Sequence, residues 1–421
     1  MFDGSLLTPT WLQSQRAFSS ASVSRVDVVP GTVRRGKQSV VATLRVELQT
    51  DDTAACPSTR HLFIKRFVQR ELPPRSERQW ARDFASYHNE AFVYQHLHAA
   101  LSANGVAMIA PVAVIFEPAT ATTTTQTQTP RDCIVLLEDV LRPENEQQQE
   151  LSARLVSLDC LNKDDTKTLL RFLAKLHAAP LADSSLLSLV KTHLWPEGAW
   201  WSLAKRGVEE LQHAPEVWRG VLDAFRAELL HLDAVTPEIE ALGERMVANA
   251  AYISEQLFGE SAAPKTLVHG DAKTANFFFD AATRQHVTAF DWQWSGLGLG
   301  ALDVANLLNT SVAIDALQDD ESETELLECY LEALRHELQL RGHAPLAYSL
   351  AELRRHYSLA TLEYARVLIA NFWRDMTPET CARDLHKTNW GLGYRSVPHV
   401  LRMIRKIDVG LRAVERERAA V

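Results

Sequence analysis

The chain has no paired cysteines. Its five, Cys56, Cys133, Cys160, Cys329 and Cys381, are scattered, odd in number and never spaced as CxxC. That excludes a disulfide scaffold and a zinc knuckle and points to reduced thiols in a cytoplasmic protein. Long apolar runs are also missing, and none approaches the ~18 residues of a membrane-spanning helix. The opening stretch, MFDGSLLTPTWLQSQRAF, lacks an apolar core of the secretory kind, although it suits the start of an amphipathic helix. Basic charge is not in excess. With 44 Lys and Arg against 53 Asp and Glu, the formal net charge is -9, which argues against nucleic acid, whose binding runs on Lys and Arg meeting phosphates. No repeat of fixed period occurs. Neither a membrane nor a nucleic acid is expected as a partner.

The 421 residues, 46% of them hydrophobic, can bury one large core or two medium ones. The first third alternates strand-like runs with turns. SVSRVDVV, SVVATLRVEL and RHLFIKRF are rich in β-branched residues and alternate in polarity. ARDFASYHNEAFVYQHLHAAL then has the spacing of an amphipathic helix, and VAVIFE and DCIVLLEDV read as two further strands. Between these lies a Thr/Gln-rich insert, residues 119–130, with no means of burying apolar surface. Composition shifts after LLEDV. LRPENEQQQE is polar and aperiodic, and most of the chain beyond it reads as helix: TKTLLRFLAKLHAA, the stretch from Pro215 to Phe258, and Glu323–Arg341. KTLVHG and a hairpin over NFFFDAATRQHVTAFDW interrupt it.

The chemistry gathers in LVHGDAKTANFFFD, which presents His269, Asp271 and Asn276 as H-x-D-x-x-x-x-N. Phosphoryl transfer to a hydroxyl needs a carboxylate to orient the nucleophile and accept its proton. It also needs oxygen ligands for magnesium. Asp271 can serve the first need, and the Asn276 amide oxygen can serve the second. Asp291 in TAFDW comes fifteen residues after Asn276, at the end of the second hairpin strand, where the hairpin brings a further metal ligand back beside the loop. Asp and Asn also favour turns, so the loop alone would be ambiguous. FDWQ and DVANLL beyond it favour the catalytic reading.

These residues resemble the protein-kinase-like superfamily on its small-molecule branch, the aminoglycoside phosphotransferase and choline or ecdysteroid kinase-like enzymes. HGDAKTAN is similar to that branch's catalytic loop, FDWQ stands where protein kinases carry DFG, and DVANLL at 303–308 resembles its D-L-A element. The resemblance implies an α+β, bilobal protein-kinase-like fold with a small antiparallel-sheet N-lobe and a large, mostly helical C-lobe. Residues 1–140 would form the nucleotide-binding lobe, five strands and one helix. Residues 141–421 would carry the catalytic loop, the metal site and the acceptor pocket. Asp271 would be the catalytic base, Asn276 and Asp291 the Mg2+ ligands, and His269 and Asp303 braces of the loop. Lys65 would pair with the ATP phosphates. Glu90 would be its partner, with Asp83 on the same helix as a competing carboxylate. Leu137, Glu138 and Val140 would form the adenine-binding hinge. PGTVRRGKQS departs from GxGxxG, although Gly31 and Gly36 could still serve the phosphates with nearby basic side chains.

The implied activity is ATP- and Mg2+-dependent transfer of a phosphoryl group to a small-molecule hydroxyl. A choline-like, steroid-like or aminoglycoside-like acceptor would each suit the motif. A catalytically silent nucleotide-binding scaffold on the same fold is the alternative reading. No APE-like segment comes after FDWQ, which leaves little room for a protein substrate to dock. Ten tryptophans are many for this length. Core packing is their ordinary use, and an aromatic acceptor pocket is the functional one. Trp195, Trp200 and Trp201 in LWPEGAWW, with Trp373 and Asp375 in NFWRDMTPET, are the candidates for that pocket. The acidic net charge and the aromatic content lean slightly toward a cationic acceptor, and a flat hydrophobic alcohol would also use aromatics.

Overall fold

The computed structural model describes residues 8–18, 22–36, 38–49, 58–67, 74–116, 133–141, 155–231, 235–260 and 263–420. The Thr/Gln-rich insert, Lys37 of the glycine loop and most of the polar linker after the hinge lie outside these residues.

The front of the chain forms an antiparallel sheet of β1 (Ser22–Val28), β2 (Arg34–Arg35), β3 (Val40–Gln49), β4 (Ser58–Phe67), β5 (Pro111–Phe116) and β6 (Cys133–Glu138). The strand order is β1-β3-β4-β6-β5, and the short β2 pairs with β3. The five expected strands are present, joined by this sixth. Alternation along β4 explains the packing. Leu62 and Ile64 face one side, within a cluster that contains Leu44, Val46, Leu136 and Ile134. Lys65 and Phe67 occupy the buried end of the strand, and Phe67 joins the main core with Tyr87, Ala91 and Tyr94 of the next helical stretch.

That stretch begins as α1 (Glu77–Phe92), which opens with a capping box in which Ser76 and Gln79 exchange hydrogen bonds. It continues through a π-helical turn, Val93–Leu97, into His98–Ala103. The N-terminal stretch, read as suiting the start of an amphipathic helix, contains a helix of five residues. This helix, Pro9–Gln13, and the turn after it bring Leu12 and Phe18 into the cluster on the outer face of the sheet.

The remaining helices of ten residues or more are α2 (Lys163–Ala182), α3 (Ser184–His193), α4 (Ala214–Ala224), α5 (Leu242–Phe258), α6 (Ala301–Thr310), α7 (Asp320–Leu340), α8 (Leu350–Val367) and α9 (Val397–Ala419). The stretch Pro215–Phe258, read as long helices, contains α4, two short helices and α5 among its described residues. The long contacts α2·α7, α6·α8 and α5·α4 build the helical core.

Among the described residues of this half lie five short strands: β7 (Leu155–Val156), β8 (Lys265–Val268), β9 (Phe277–Asp280), β10 (Val287–Ala289) and β11 (Gly296–Leu299). The expected hairpin is β9–β10, with β7 on its edge. β11, paired with β8, was not foreseen. Its sequence, GLGL, reads as a turn because glycine is depleted in strands. Gly296 is required there because a Cβ would come within 2.3 Å of the Trp195 carbonyl oxygen.

The two halves meet along a backbone seam. Ile109 N–H donates to Ala289 O at 3.1 Å, and Ala289 N–H donates to Ala107 O at 3.0 Å. The architecture is the expected one of a small antiparallel sheet leading into a mostly helical remainder.

Phe18 is fully buried against the sheet, and the Arg60 guanidinium lies 4.8 Å from its ring. Phe18→Ala should therefore cost about 3–5 kcal/mol of unfolding free energy in a denaturant titration. An unchanged midpoint would show that the N-terminal segment does not cover the sheet.

Candidate active site

The centre of the cleft is a buried ammonium. Lys65 sits on β4, the middle strand of the main five, and is 8% exposed. Its Nζ donates to Glu90 Oε2 at 2.9 Å and to Asp291 Oδ1 at 2.9 Å. Asp83, the competing carboxylate, is instead held by Arg75, Arg82 and Gln38. Burial opposes the Lys65 charge, but Asp291 and Glu90 outweigh it and raise the pKa. Burial likewise works against ionised Asp291, yet Lys65 holds its carboxyl below the ordinary range. Glu90 is pushed up, first by burial and then by sharing one ammonium with a second carboxylate. Asp291 has φ of 66°, a left-handed conformation that costs energy in a non-glycine residue and recurs at functional sites.

The loop after β8 carries His269, Gly270 and Asp271. Asp303 on α6 grips it by accepting from His269 N–H at 2.6 Å and Gly270 N–H at 2.8 Å. The other end of the loop is tied where Thr274 N–H donates to Ser311 Oγ at 2.9 Å. His269 Nε2 lies 3.0 Å from the Phe290 carbonyl and so carries the proton there. The ring packs against Phe277 and Trp292.

Gly270 has φ of 79°, and a Cβ there would stand 2.0 Å from Trp294 O and 2.8 Å from Ala199 N. The LWPEGAWW segment is therefore laid against the loop. Gly198 N–H donates to Leu297 O, Ala199 N–H to Trp294 O, and Trp200 N–H to Gly270 O.

Three donors converge on the Asp271 carboxylate. Asn276 Nδ2 reaches Oδ2 at 2.9 Å, Lys273 Nζ reaches Oδ2 at 2.9 Å, and Trp200 Nε1 reaches Oδ1 at 3.1 Å. The sequence reading missed Lys273. Its signal was a basic residue two positions after Asp271 in a loop without other charge. Burial disfavours its charge, but Asp271 outweighs this and raises its pKa.

Asn276 spends its amide N–H groups on Asp271. Among the described residues no donor meets Asn276 Oδ1 or Asp291 Oδ2. Phe290 N–H, next to Asp291, donates to Asn276 O at 3.2 Å, so the two residues are neighbours. Two free hard oxygens fit a divalent cation that keeps substrate and water ligands, as Mg2+ does. Among the described residues no group of three or more His, Cys, Asp or Glu could hold a metal without such help.

Leu137, of the expected hinge, is buried in β6, and the Glu138 side chain pairs with Arg60. Glu138 N–H and Asp139 N–H are spent on Ala110 O and His61 O, whereas Val140 N–H meets no carbonyl among the described residues. Gly31 turns with φ of 75°. Gly36 N–H closes a turn onto Ser39 O at 2.8 Å, and Gln38, held by Asp83 and Tyr87, lines the cleft.

The cleft encloses about 990 Å3 around Asp271, Lys273 and Asp291. Trp200 and Asp375 of the expected pocket line it. Trp201 and Trp373 do not, because both are fully buried, and Trp373 Nε1 donates to Gly393 O. Trp195 stacks beneath Trp294, with ring centroids 6.1 Å apart. The aromatic wall is instead Trp200, Phe372, Tyr394, Tyr364, Trp294 and Trp390. Phe372 ends a π-helical turn, Leu368–Phe372, after α8, a feature that often marks functional sites. Arg206 lies 5.9 Å from the Trp200 ring and 5.7 Å from that of Phe372.

A sequence model described as the ecdysteroid kinase-like family matches residues 37–343. No curated protein matches the chain. Among solved structures it is similar to the amicoumacin kinase hAmiN in complex with AMP-PNP, Ca2+ and Ami, at 14% identity over 90% of this chain and 89% of that one, with a TM-score of 0.41. It is similar to a Plasmodium vivax ethanolamine kinase at 12% identity over 97% and 88%, with a TM-score of 0.39. It is also similar to the choline kinase LicA from Streptococcus pneumoniae at 11% identity over 93% and 94%, with a TM-score of 0.37.

Asp303→Ala would orphan two buried backbone N–H groups, each worth about 1–3 kcal/mol. A stability loss of about 2–6 kcal/mol is expected in denaturant unfolding. A loss under about 1 kcal/mol would mean that Asp303 does not hold the loop.

Proposed function

The chain belongs to the ecdysteroid kinase-like family, and we propose from that premise that it transfers the γ-phosphoryl group of ATP to a hydroxyl of a small molecule, with Asp271 as the catalytic base. The observation that carries this reading is the convergence at one cleft of two separately held carboxylates. Asp271 faces the aromatic wall through Trp200, and Asp291 is shared with the Lys65–Glu90 pair. One carboxylate is thereby assigned to the acceptor and the other to the nucleotide.

In this reading residues 1–140 form the nucleotide lobe and residues 141–421 the catalytic and acceptor lobe. Lys65, oriented by Glu90, pairs with phosphate oxygens, and Lys273 adds a second positive charge beside Asp271. The hinge at Leu137, Glu138 and Val140 offers the Val140 N–H to adenine. Gly31 and Gly36 belong to the loop over the phosphates. Asn276 Oδ1 and Asp291 Oδ2 would hold Mg2+, which when bound neutralises phosphate charge. Asp271 accepts the hydrogen bond of the acceptor hydroxyl. As that oxygen bonds to phosphorus and ADP departs, the hydroxyl proton passes to the Asp271 carboxylate. Catalysis is then mostly positioning and charge neutralisation. The four described cysteines are free thiols, which suits a cytoplasmic setting.

The cleft favours a flat, largely apolar alcohol over the cationic acceptor suggested by net charge. Of its carboxylates other than Asp271 and Asp291, Glu210 and Asp384 are already paired, with Arg206 and Arg383, and Asp375 alone has no ion pair among the described residues. The Trp200 and Phe372 faces already have a guanidinium beside them.

Three substitutions test the assignment. Asp271→Asn should lower ATP-dependent phosphorylation about 10²–10⁴-fold while Mg–ATP affinity, read by calorimetry, stays within about twofold. Full turnover would sink the role of Asp271, and nucleotide binding without any turnover by the wild type would favour a silent scaffold. Asp291→Ala should abolish the magnesium dependence of nucleotide binding, and equal affinities with and without the metal in the wild type would count against it. Trp200→Phe keeps the wall and removes the N–H held by Asp271, so kcat should drop about tenfold. A change confined to the acceptor KM would leave Trp200 as wall alone.

A further inference from the structure

Helix α6 runs beneath the catalytic loop and grips it at both ends, at His269–Gly270 through Asp303 and at Thr274 through Ser311, the residue that caps the helix. Asn306 is one turn beyond Asp303 and one turn before Thr310, and so lies on the same face. It sits between the two grips, on the stretch that faces Asp271 to Lys273. It lines the cleft with those residues and is itself 1% exposed.

Its amide is orphaned. Asn306 Oδ1 is buried with no partner, and among the described residues neither polar atom of the side chain makes a hydrogen bond. Asn309, on the same helix, shows what a structural asparagine looks like here. Its Nδ2 reaches Ala305 O and Thr361 Oγ1, and its Oδ1 accepts from Arg402. Buried polar groups in folded proteins have partners almost without exception. The neighbours of Asn306 along the helix, Val304, Ala305, Leu307 and Leu308, are all fully buried and apolar, and they point to other faces of the helix.

We infer that Asn306 is a specificity residue that reads a second hydroxyl of the acceptor, close to the one presented to Asp271. An amide offers both a donor and an acceptor, and a hydroxyl is the group that meets both. The inference rests on the phosphotransferase reading of the cleft and adds to it that the acceptor is a diol at the reacting end, with its apolar body against the aromatic wall.

The test uses matched pairs of fused-ring alcohols, each pair a vicinal diol and the mono-alcohol lacking one hydroxyl. Binding is read first, by the shift in thermal midpoint of the full-length protein without nucleotide. Wild type should be stabilised more by the diol of a pair, and Asn306→Leu should respond equally to both. Where a pair is phosphorylated, the diol should lead by about 10- to 100-fold in kcat/KM, and Asn306→Leu should bring that ratio to within about threefold of one. In the absence of alcohols, Asn306→Leu should have a midpoint equal to or above wild type, because it removes an unsatisfied polar group. A diol preference that survives in Asn306→Leu overturns the inference. So does a fall of more than about 5 °C in the free protein, which would make Asn306 a structural residue. Diol-selective binding without phosphorylation would count against the catalytic reading and leave the role of Asn306 standing.

Discussion

A single buried ammonium fixes the relation between the two halves of this molecule. Taking a lysine charge out of water is costly unless oppositely charged groups come with it. Lys65 brings in two, from places far apart in the chain. Glu90 belongs to the helix packed under the sheet, and Asp291 stands just beyond the hairpin of the helical half. Removing Lys65 leaves two buried carboxylates with no shared cation, whereas removing either acid leaves a single ion pair. The sheet and the hairpin are therefore constrained through one atom, Lys65 Nζ, with the backbone seam at residues 107–109 and 289 as the second fixed point. Two acids sharing one base also explain why one carboxyl, Glu90, is pushed up while the other stays ionised with an oxygen to spare.

The catalytic loop is set by crowding as much as by hydrogen bonds. Three backbone segments meet at Gly270: the loop itself, Trp294 and Ala199. Ala199 takes φ of 96° to fit, an unfavourable conformation for a residue with a side chain. That strain delivers the Trp200 indole to Asp271. Beneath Trp201, a buried Glu363–Arg366 pair fixes the next residues, with Arg366 bonded to Trp201 O and Glu363 accepting from Leu203 N–H at 2.7 Å. The aromatic wall and Asp271 are thus parts of one packed unit, joined through the Trp200 indole.

Much of this was legible in the sequence because it is local or periodic. The strands are encoded by alternation in SVVATLRVEL and RHLFIKRF, and the hairpin by NFFFD and HVTAFDW. The hairpin in turn dictates the proximity of Asn276 and Asp291. The choice of Glu90 over Asp83 needed three dimensions, because both lie on one helix and only the sheet decides which meets Lys65. The acceptor wall was half-read. Tryptophan count identifies aromatic richness, but burial separates Trp200 from Trp201 and Trp373, and burial depends on tertiary packing that residue type does not encode. Phe372, Tyr364 and Tyr394 carry no signal beyond being aromatic, and they meet only because α8 ends in a π-helical turn. β11 escaped because its glycines serve close approach, which a propensity reading counts against a strand.

The charge of the whole chain was a poor guide to the cleft. A net charge of -9 is spread over a surface where exposed charges are screened within about 10 Å, whereas the acceptor meets only what lines the pocket. There Arg75 and Arg82 share Asp83, Arg206 meets Glu210 and Arg383 meets Asp384, while Arg374 and Asp375 add one charge of each sign. The local field is therefore short-ranged and nearly balanced. An aromatic face attracts a cation through its quadrupole, but the rings of Trp200 and Phe372 already have Arg206 beside them. A fixed cation on the acceptor would have to displace a guanidinium from its ring and its Glu210 partner, or sit against it. A neutral, flat molecule needs neither. It can lie along the same rings, bury apolar area against them, and leave the balanced ion pairs where they are.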